Sequence, residues 1–272
     1  MRFALCCLAQ ANCPSTLPVK GFVAADNCDP ANTTCVDAGT AMFHYVDGRK
    51  DTSQTRLVIS LHGSLWHLYD GDYRILEIND LAAMVRQHGP KIREVMLVAS
   101  WSGIAPDQHT KSLAQKLSTA LNGMRVTGKD GFVGYSKDGA VNTTRQAFTG
   151  YKSAVYRIEK GAKVMASLVA GWPMALEAQF AQRGDGNGLN RVRAGYDIFL
   201  LCPERALQEF DASAAMSDPV GAYNAAIMRL ERRRPGDKAD AIALLRKSAA
   251  TGDKKAQAKL NAMSLARTNA GY

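Results

Sequence analysis

The chain has 272 residues, of which 46% are hydrophobic and 22% charged, a balance typical of a globular protein with a sizeable core. No stretch reaches the roughly 18–20 uninterrupted apolar residues that a membrane-crossing helix needs, so we expect no membrane span. The net charge is +9, and +6 of it lies in residues 212–272, where 11 Lys and Arg residues stand against 5 Asp and Glu residues. No aromatic stacking stripe, zinc spacing or RNA-binding signature accompanies this charge, so we interpret it as a solvated helical surface and not as a nucleic-acid site.

Five of the six cysteines lie in the first 35 residues. Cys28 and Cys35 flank a polar turn and are candidates for a small disulfide loop. Their spacing fits no standard zinc site, and we predict neither a metal nor a cofactor. A single Arg and a short apolar stretch at the start of the chain resemble a brief signal peptide, which leaves the localisation open between the cytoplasm and secretion.

Residues 1–40 have no sustained periodicity and are predicted to form an N-terminal arm. Residues 41–211 are predicted to form an α/β domain, because continuous aliphatic runs alternate with segments of helical periodicity. This pattern predicts a mainly parallel sheet flanked by helices. The predicted strands are Ala41–Val46, Arg56–Leu61, Glu94–Ala99, Met124–Thr127, Phe132–Tyr135, Ala154–Ile158 and Tyr196–Leu201, and the clearest helices are Ile78–His88 and Ser112–Leu121.

The glycine-rich run 184–188 is predicted to be a surface loop, since no strand clearly precedes it. Residues 212–272 are predicted to form an α-helical appendage, in which Ser217-Asp218-Pro219 is a helix start. Its alanine-rich stripes and Pro-Gly-Asp and Gly-Asp breaks resemble one short helical hairpin of the tetratricopeptide type. We expect such a hairpin to pack on the main domain, because a single repeat cannot build a solenoid.

Two of the predicted parallel strands are followed by residues with catalytic potential. Leu61-His62-Gly63 follows the first strand, and Ala99-Ser100-Trp101-Ser102-Gly103 follows the second. Since ligands of open sheets bind at the carboxyl ends of the strands, we expect His62 and Ser100 to lie close together.

This pair of motifs, over roughly residues 50–140, resembles the caspase-like cysteine peptidases, which include caspases, separases, clostripain-type enzymes and bacterial CHAT domains. In that family one strand ends in His-Gly and the next in Ala-Cys followed by a small residue and Gly. The resemblance implies a caspase-like fold that hydrolyses peptide bonds through an acyl-enzyme, with residue 100 as nucleophile, His62 as proton donor and the Gly63 backbone in the oxyanion hole. Trp101 and Ser102 are the predicted substrate-binding residues. Two interpretations of Trp101 and Trp66 stay open: they form a wall of the substrate pocket, or they pack in the core.

The departure from the family is Ser100 at the position of the nucleophilic cysteine. A thiolate attacks without a third group, whereas a serine needs a strong, oriented base, and nothing in the sequence orients His62. Three interpretations stay open: a pseudoenzyme, a serine variant, or a cysteine enzyme inactivated by replacement of its nucleophile. The last is favoured, because Ala-Cys-Trp-Ser-Gly would fit the family closely.

An α/β-hydrolase is the enzymatic rival, but no histidine follows His109, so its triad cannot be completed. The other alternative is a non-catalytic interaction protein that binds a partner through the helical tail. The expected partners are a protein or peptide substrate and, by analogy with compact bacterial toxins and effectors, an inhibitory protein. His67, His88 and His109 are predicted to be surface residues.

Overall fold

The structure is a computed structural model that describes residues 54–135, 141–145, 147–149, 156–158, 180–198 and 201–269. It shows an α/β architecture with a small parallel sheet followed by a run of helices. The predicted arm, the strand Ala41–Val46 and the Cys28–Cys35 loop lie outside the described residues. The domain boundaries stay predictions.

Strand β4 (Glu94–Val98) is the centre of the sheet and pairs in parallel with β1 (Arg56–Ser60) and β5 (Arg125–Thr127). Helix α1 (Ile78–Gln87) lies between β1 and β4 in the chain, and helix α2 (Leu113–Ala120) lies between β4 and β5. Both helices pack their apolar stripes on β4 and form one core with its buried side chains, and this core includes Leu81, Val85, Val95, Leu97, Leu113 and Leu117. A small parallel sheet is therefore present, with β1 and β4 as neighbours as predicted, whereas the predicted strand Phe132–Tyr135 lies outside it in an antiparallel pair.

Besides this sheet, the described residues form three short antiparallel pairs. Strand β2 (His62–Gly63) pairs with β3 (Leu68–Tyr69) and forms a small hairpin directly after β1. The other two antiparallel pairs join β6 (Gly131–Tyr135) to β7 (Val141–Arg145), and β8 (Ala147–Thr149) to β9 (Tyr156–Ile158).

Five further helices lie between residues 186 and 269 of the described chain. They are α3 (Gly186–Ile198), α4 (Pro203–Ala215), α5 (Pro219–Arg232), α6 (Asp237–Ala250) and α7 (Lys254–Asn269). The predicted start of α5 is confirmed, because the Asp218 side chain accepts the backbone N–H of Val220 and Pro219 is the first helical residue. Buried alanines let these helices approach closely, among them Ala222, Ala225, Ala226, Ala241 and Ala256. The tetratricopeptide-type resemblance of these helices stays a prediction.

Two predictions in the middle of the chain are wrong. The run Tyr196–Leu201 is not a strand, because Tyr196 and Ile198 belong to the end of α3. Most of the predicted loop 184–188 is helical, since α3 begins at Gly186, and Gly188 is buried against the Phe180 ring. A short apolar run does not distinguish a strand from the buried end of a helix, and here packing among the helices determines the outcome.

The hairpin and the loop after it connect the sheet to the helices. Tyr69 and Ile75 belong to the core formed by α3–α7, while Leu68 and Leu76 belong to the core under the sheet. The segment that follows His62 therefore contributes to both cores.

Candidate functional site

The two predicted catalytic motifs lie side by side at the carboxyl edge of the sheet. In the parallel pairing of β1 with β4, Ser60 stands opposite Val98 as the last pair of the ladder. The contact continues one residue further, where the Leu61 N–H donates to the Val98 carbonyl over 3.3 Å. His62 and Ser100 each follow two residues after the last pair, so the two motifs leave the sheet in matching positions.

Gly63 brings the two chain segments into direct contact. A Cβ atom placed on Gly63 would lie 3.0 Å from the Ala99 Cβ, 3.2 Å from Leu68 Cδ2 and 3.3 Å from the Ser100 carbonyl oxygen. All three separations are tighter than most Cβ contacts, so a side chain here would have to move the neighbouring atoms by a few tenths of an ångström. Glycine therefore favours the close approach of the two segments at this position, and no special backbone angle is involved.

Ser100 is also held by a hydrogen bond from the middle of β6. Its Oγ accepts the backbone N–H of Val133 over 3.0 Å, and the side chain is half-buried. The following residues are fixed to the same segment, since the Trp101 N–H donates to Gly131 and the Gly103 N–H donates to Lys129, over 2.9 and 2.7 Å. Because a hydroxyl has one proton and two lone pairs, Ser100 can still donate while it accepts from Val133.

Trp101 and Ser102 are both fully buried. Trp101 has a left-handed backbone, with φ of 62°, and its ring meets Phe132 edge-on with the centroids 5.0 Å apart. The Ser102 Oγ donates to the Ala99 carbonyl over 2.7 Å and accepts the N–H of Lys129. Both side chains stabilise the turn after Ser100, and their predicted contact with substrate stays a prediction.

His62 has an exposed side chain and an aromatic neighbour. Its ring stacks on the Tyr73 ring with the centroids 5.3 Å apart and the planes 27° from parallel. Tyr73 belongs to the loop between β3 and α1, eleven residues further along the chain, and no periodicity in the sequence indicates this contact.

A second polar cluster lies next to this edge, around His67, a histidine predicted from the sequence to be a surface residue. That prediction is wrong, because His67 is only 5% exposed. Its Nδ1 lies 2.8 Å from the Asp197 carboxylate of α3, and its Nε2 lies 3.1 Å from the Glu231 carboxylate of α5. The Ser64 and Tyr69 hydroxyls donate to the same Asp197 oxygen. We call these five residues the His67 cluster.

The His67 cluster places one imidazolium between two carboxylates, those of Asp197 and Glu231. Burial lowers the pKa of His67, but the charges of Asp197 and Glu231 and their hydrogen bonds outweigh this effect and raise it from 6.5 to about 10. His67 is therefore an imidazolium that donates from both nitrogens near neutral pH. The second Asp197 oxygen is buried without a hydrogen-bond partner in the described part of the chain.

Two cavities adjoin this cluster. One of about 430 Å³ lies against α1 and α2, and the other, of about 270 Å³, lies against α4 and the loop after Ser102. The residues common to both linings are Trp66, His67, Lys116 and Glu231. Trp66 thus lines both cavities, but neither lining includes His62 or Ser100, and Trp101 packs in the core, so the substrate wall of Trp66 and Trp101 stays a prediction.

Neither a metal centre nor a spanning helix is found among the described residues. They hold no group of three or more His, Cys, Asp or Glu side chains placed to bind a metal ion. No described helix is both long enough and apolar enough to cross a bilayer.

Comparison with known proteins gives one match. Residues 31–143 match the model of a family described as "Domain of unknown function (DUF8616)". This region includes both strand ends and stops before the helices α3–α7. No curated protein and no solved structure matches the chain.

Proposed function

We propose that the His62–Ser100 edge is a peptidase-type acyl-transfer site with the caspase-like arrangement, and that the α/β part of the chain has a caspase-like fold. The observation that carries the proposal is the parallel β1–β4 pairing, which brings Gly63 against the Ser100 backbone. A helix connects the two strands, as in the family that the motifs resemble.

The chemistry requires a thiolate at residue 100. With cysteine there, the sulfur attacks the peptide carbonyl, and the backbone N–H groups of Gly63 and residue 100 stabilise the oxyanion. His62 protonates the leaving amine, and water then releases the acyl group. With Ser100 the nucleophile is a neutral hydroxyl that already accepts the Val133 N–H, so we expect the chain as it stands to be inactive towards peptide bonds.

The alternative is a non-catalytic protein that binds a partner through its helical tail. The Ser100–Val133 hydrogen bond favours this alternative, because it gives the hydroxyl a structural role. A protein inhibitor and a toxin or effector setting belong to the peptidase proposal and rest on analogy alone.

The test restores the thiol in the full chain with Ser100→Cys and measures alkylation by an electrophilic probe. Residue 100 lies in the tryptic peptide 94–111, which has no native cysteine, so an adduct there is unambiguous. We expect His62→Ala to lower the alkylation rate at residue 100 by about 10²-fold, the effect expected when a general acid–base group is removed. His88→Ala is the matched control at an exposed histidine and should leave the rate unchanged.

Peptide cleavage separates the two functions. Ser100→Cys should cleave itself or an added peptide library, and His62→Ala should abolish this activity. If His62→Ala leaves the labelling rate of the Ser100→Cys chain unchanged and that chain cleaves no peptide, the peptidase proposal is wrong. The non-catalytic binding function then replaces it.

A further inference from the structure

We propose that Tyr73 is the positioning residue for His62 and that helix α5 holds Tyr73 in place through Asn224. The inference rests on the proposed function, since it supplies the orienting group that His62 needs as a catalyst. An exposed histidine on a two-residue strand has several rotamers open to it, and the stacked Tyr73 ring restricts them to those in which the two rings overlap.

Asn224 forms hydrogen bonds with the backbone on both sides of Arg74. This side chain is fully buried, its amide N–H donates to the Tyr73 carbonyl over 2.9 Å, and its oxygen accepts the Ile75 N–H over 2.8 Å. Tyr73 itself has a left-handed backbone, with φ of 56°, which a non-glycine residue keeps only where its surroundings enforce it. The Asn224 contacts provide that constraint from a different part of the chain.

Two ion pairs connect the same loop to the beginning of α7. Arg74 Nη1 lies 2.6 Å from both carboxylate oxygens of Asp253, and the Asp253 side chain is only 3% exposed. Lys255 pairs with Asp70 at the start of the loop over 2.8 Å. The loop that carries Tyr73 is thus tied to two helices, and its position relative to His62 depends on the helical part of the molecule.

The first test is spectroscopic and needs no activity. In the unmodified chain we expect nuclear Overhauser contacts between the His62 and Tyr73 ring protons, with the His62 signals assigned by their loss in His62→Gln. Tyr73→Leu should move the His62 ring signals downfield as the ring current is lost, and Tyr73→Phe should leave them near their original position. Absence of the Overhauser contacts in the unmodified chain would overturn the inference, whatever the variants do.

His67 serves as the internal control for this measurement. Its ring meets Tyr69 edge-on and is buried, so its signals should not respond to Tyr73→Leu if the hairpin stays folded. An unchanged His62 signal in Tyr73→Leu alongside an unchanged His67 signal would also overturn the inference.

The second test measures alkylation of residue 100 in the Ser100→Cys chain. Tyr73→Leu should lower the rate by about 10²-fold, as misplacement of a catalytic group does, and Tyr73→Phe should restore it. If His62→Ala lowers the rate and Tyr73→Leu does not, the proposed function stands and the Tyr73 inference is wrong. If His62→Ala has no effect on alkylation and the Ser100→Cys chain cleaves no peptide, the proposed function is wrong, and the spectroscopic test alone decides whether Tyr73 positions His62.

Discussion

Asp197 is a fully buried carboxylate that holds His67 in place, so the loss of its charge should destabilise the protein. One Asp197 oxygen accepts hydrogen bonds from Ser64, His67 and Tyr69. Asp197→Asn keeps the shape but leaves the His67 imidazolium paired only with the half-exposed Glu231. We expect the free energy of unfolding to fall by about 3–5 kcal/mol in urea denaturation.

Asp72→Asn is the matched control for this substitution. Asp72 is exposed in the turn after β3, and the same chemical change there should alter the free energy of unfolding by less than about 0.5 kcal/mol. Equal effects of the two substitutions would show that the buried His67–Asp197 pair contributes no stability.

His67 also predicts how stability depends on pH. The pKa of His67 is raised from 6.5 to about 10, so the folded state holds a proton that the unfolded state releases between these values. The stabilisation from this proton is fully present below pH 6.5 and is lost as the pH rises through 10. In urea denaturation, the advantage of the native chain over His67→Gln should therefore shrink between pH 7 and pH 10, and a constant difference would contradict a charged His67.

At the scale of elements, Gly221 sets the distance between α4 and α5. A Cβ there would lie 2.2 Å from the Ser213 Oγ and 3.2 Å from the Phe210 carbonyl oxygen. Gly221→Ala should therefore lower the free energy of unfolding by about 1–3 kcal/mol through overpacking, although alanine favours a helix. Gly186→Ala in α3 is the control, because a Cβ on Gly186 meets nothing within 4 Å, and thermal denaturation of both variants distinguishes packing from helix propensity.

The elements that the sequence predicts correctly are those with a local cause. The aliphatic runs of β1 and β4 and the helix start at Asp218 can be recognised within a few neighbouring residues, and the structure has them where the pattern places them. The run from Tyr196 is also apolar but ends a helix, because it packs among the helices, and its Asp197 pairs with His67, 130 residues away. Only the folded chain determines that contact.

At the scale of the whole molecule, the site has one part that local sequence predicts and one part that depends on distant contacts. His62 and Ser100 could be paired from the sequence because each follows a predicted strand and a crossover helix connects the two strands. Tyr73 and the His67 cluster could not, since their positions depend on α3 and α5, far along the chain. The helical part therefore supports the sheet edge as well as its own core.

A disulfide at Cys202 gives the last prediction at this scale. Cys202 precedes α4, is 2% exposed and is disulfide-bonded. It is the only cysteine among the described residues, and the sequence has five others, all in the first 35 positions, so we expect its partner to be one of these five. A non-reducing tryptic digest should therefore yield peptide 194–205 linked to peptide 3–20 or peptide 21–49.

Reduction should release peptide 194–205 and lower the free energy of unfolding by about 2–5 kcal/mol, because a bond that closes so long a loop restricts the unfolded chain. Cys202→Ser is the control, measured with and without reductant. Because this variant lacks the disulfide, the reductant should no longer lower the free energy of unfolding through that bond. A free Cys202 thiol in the oxidised protein would contradict the cross-link.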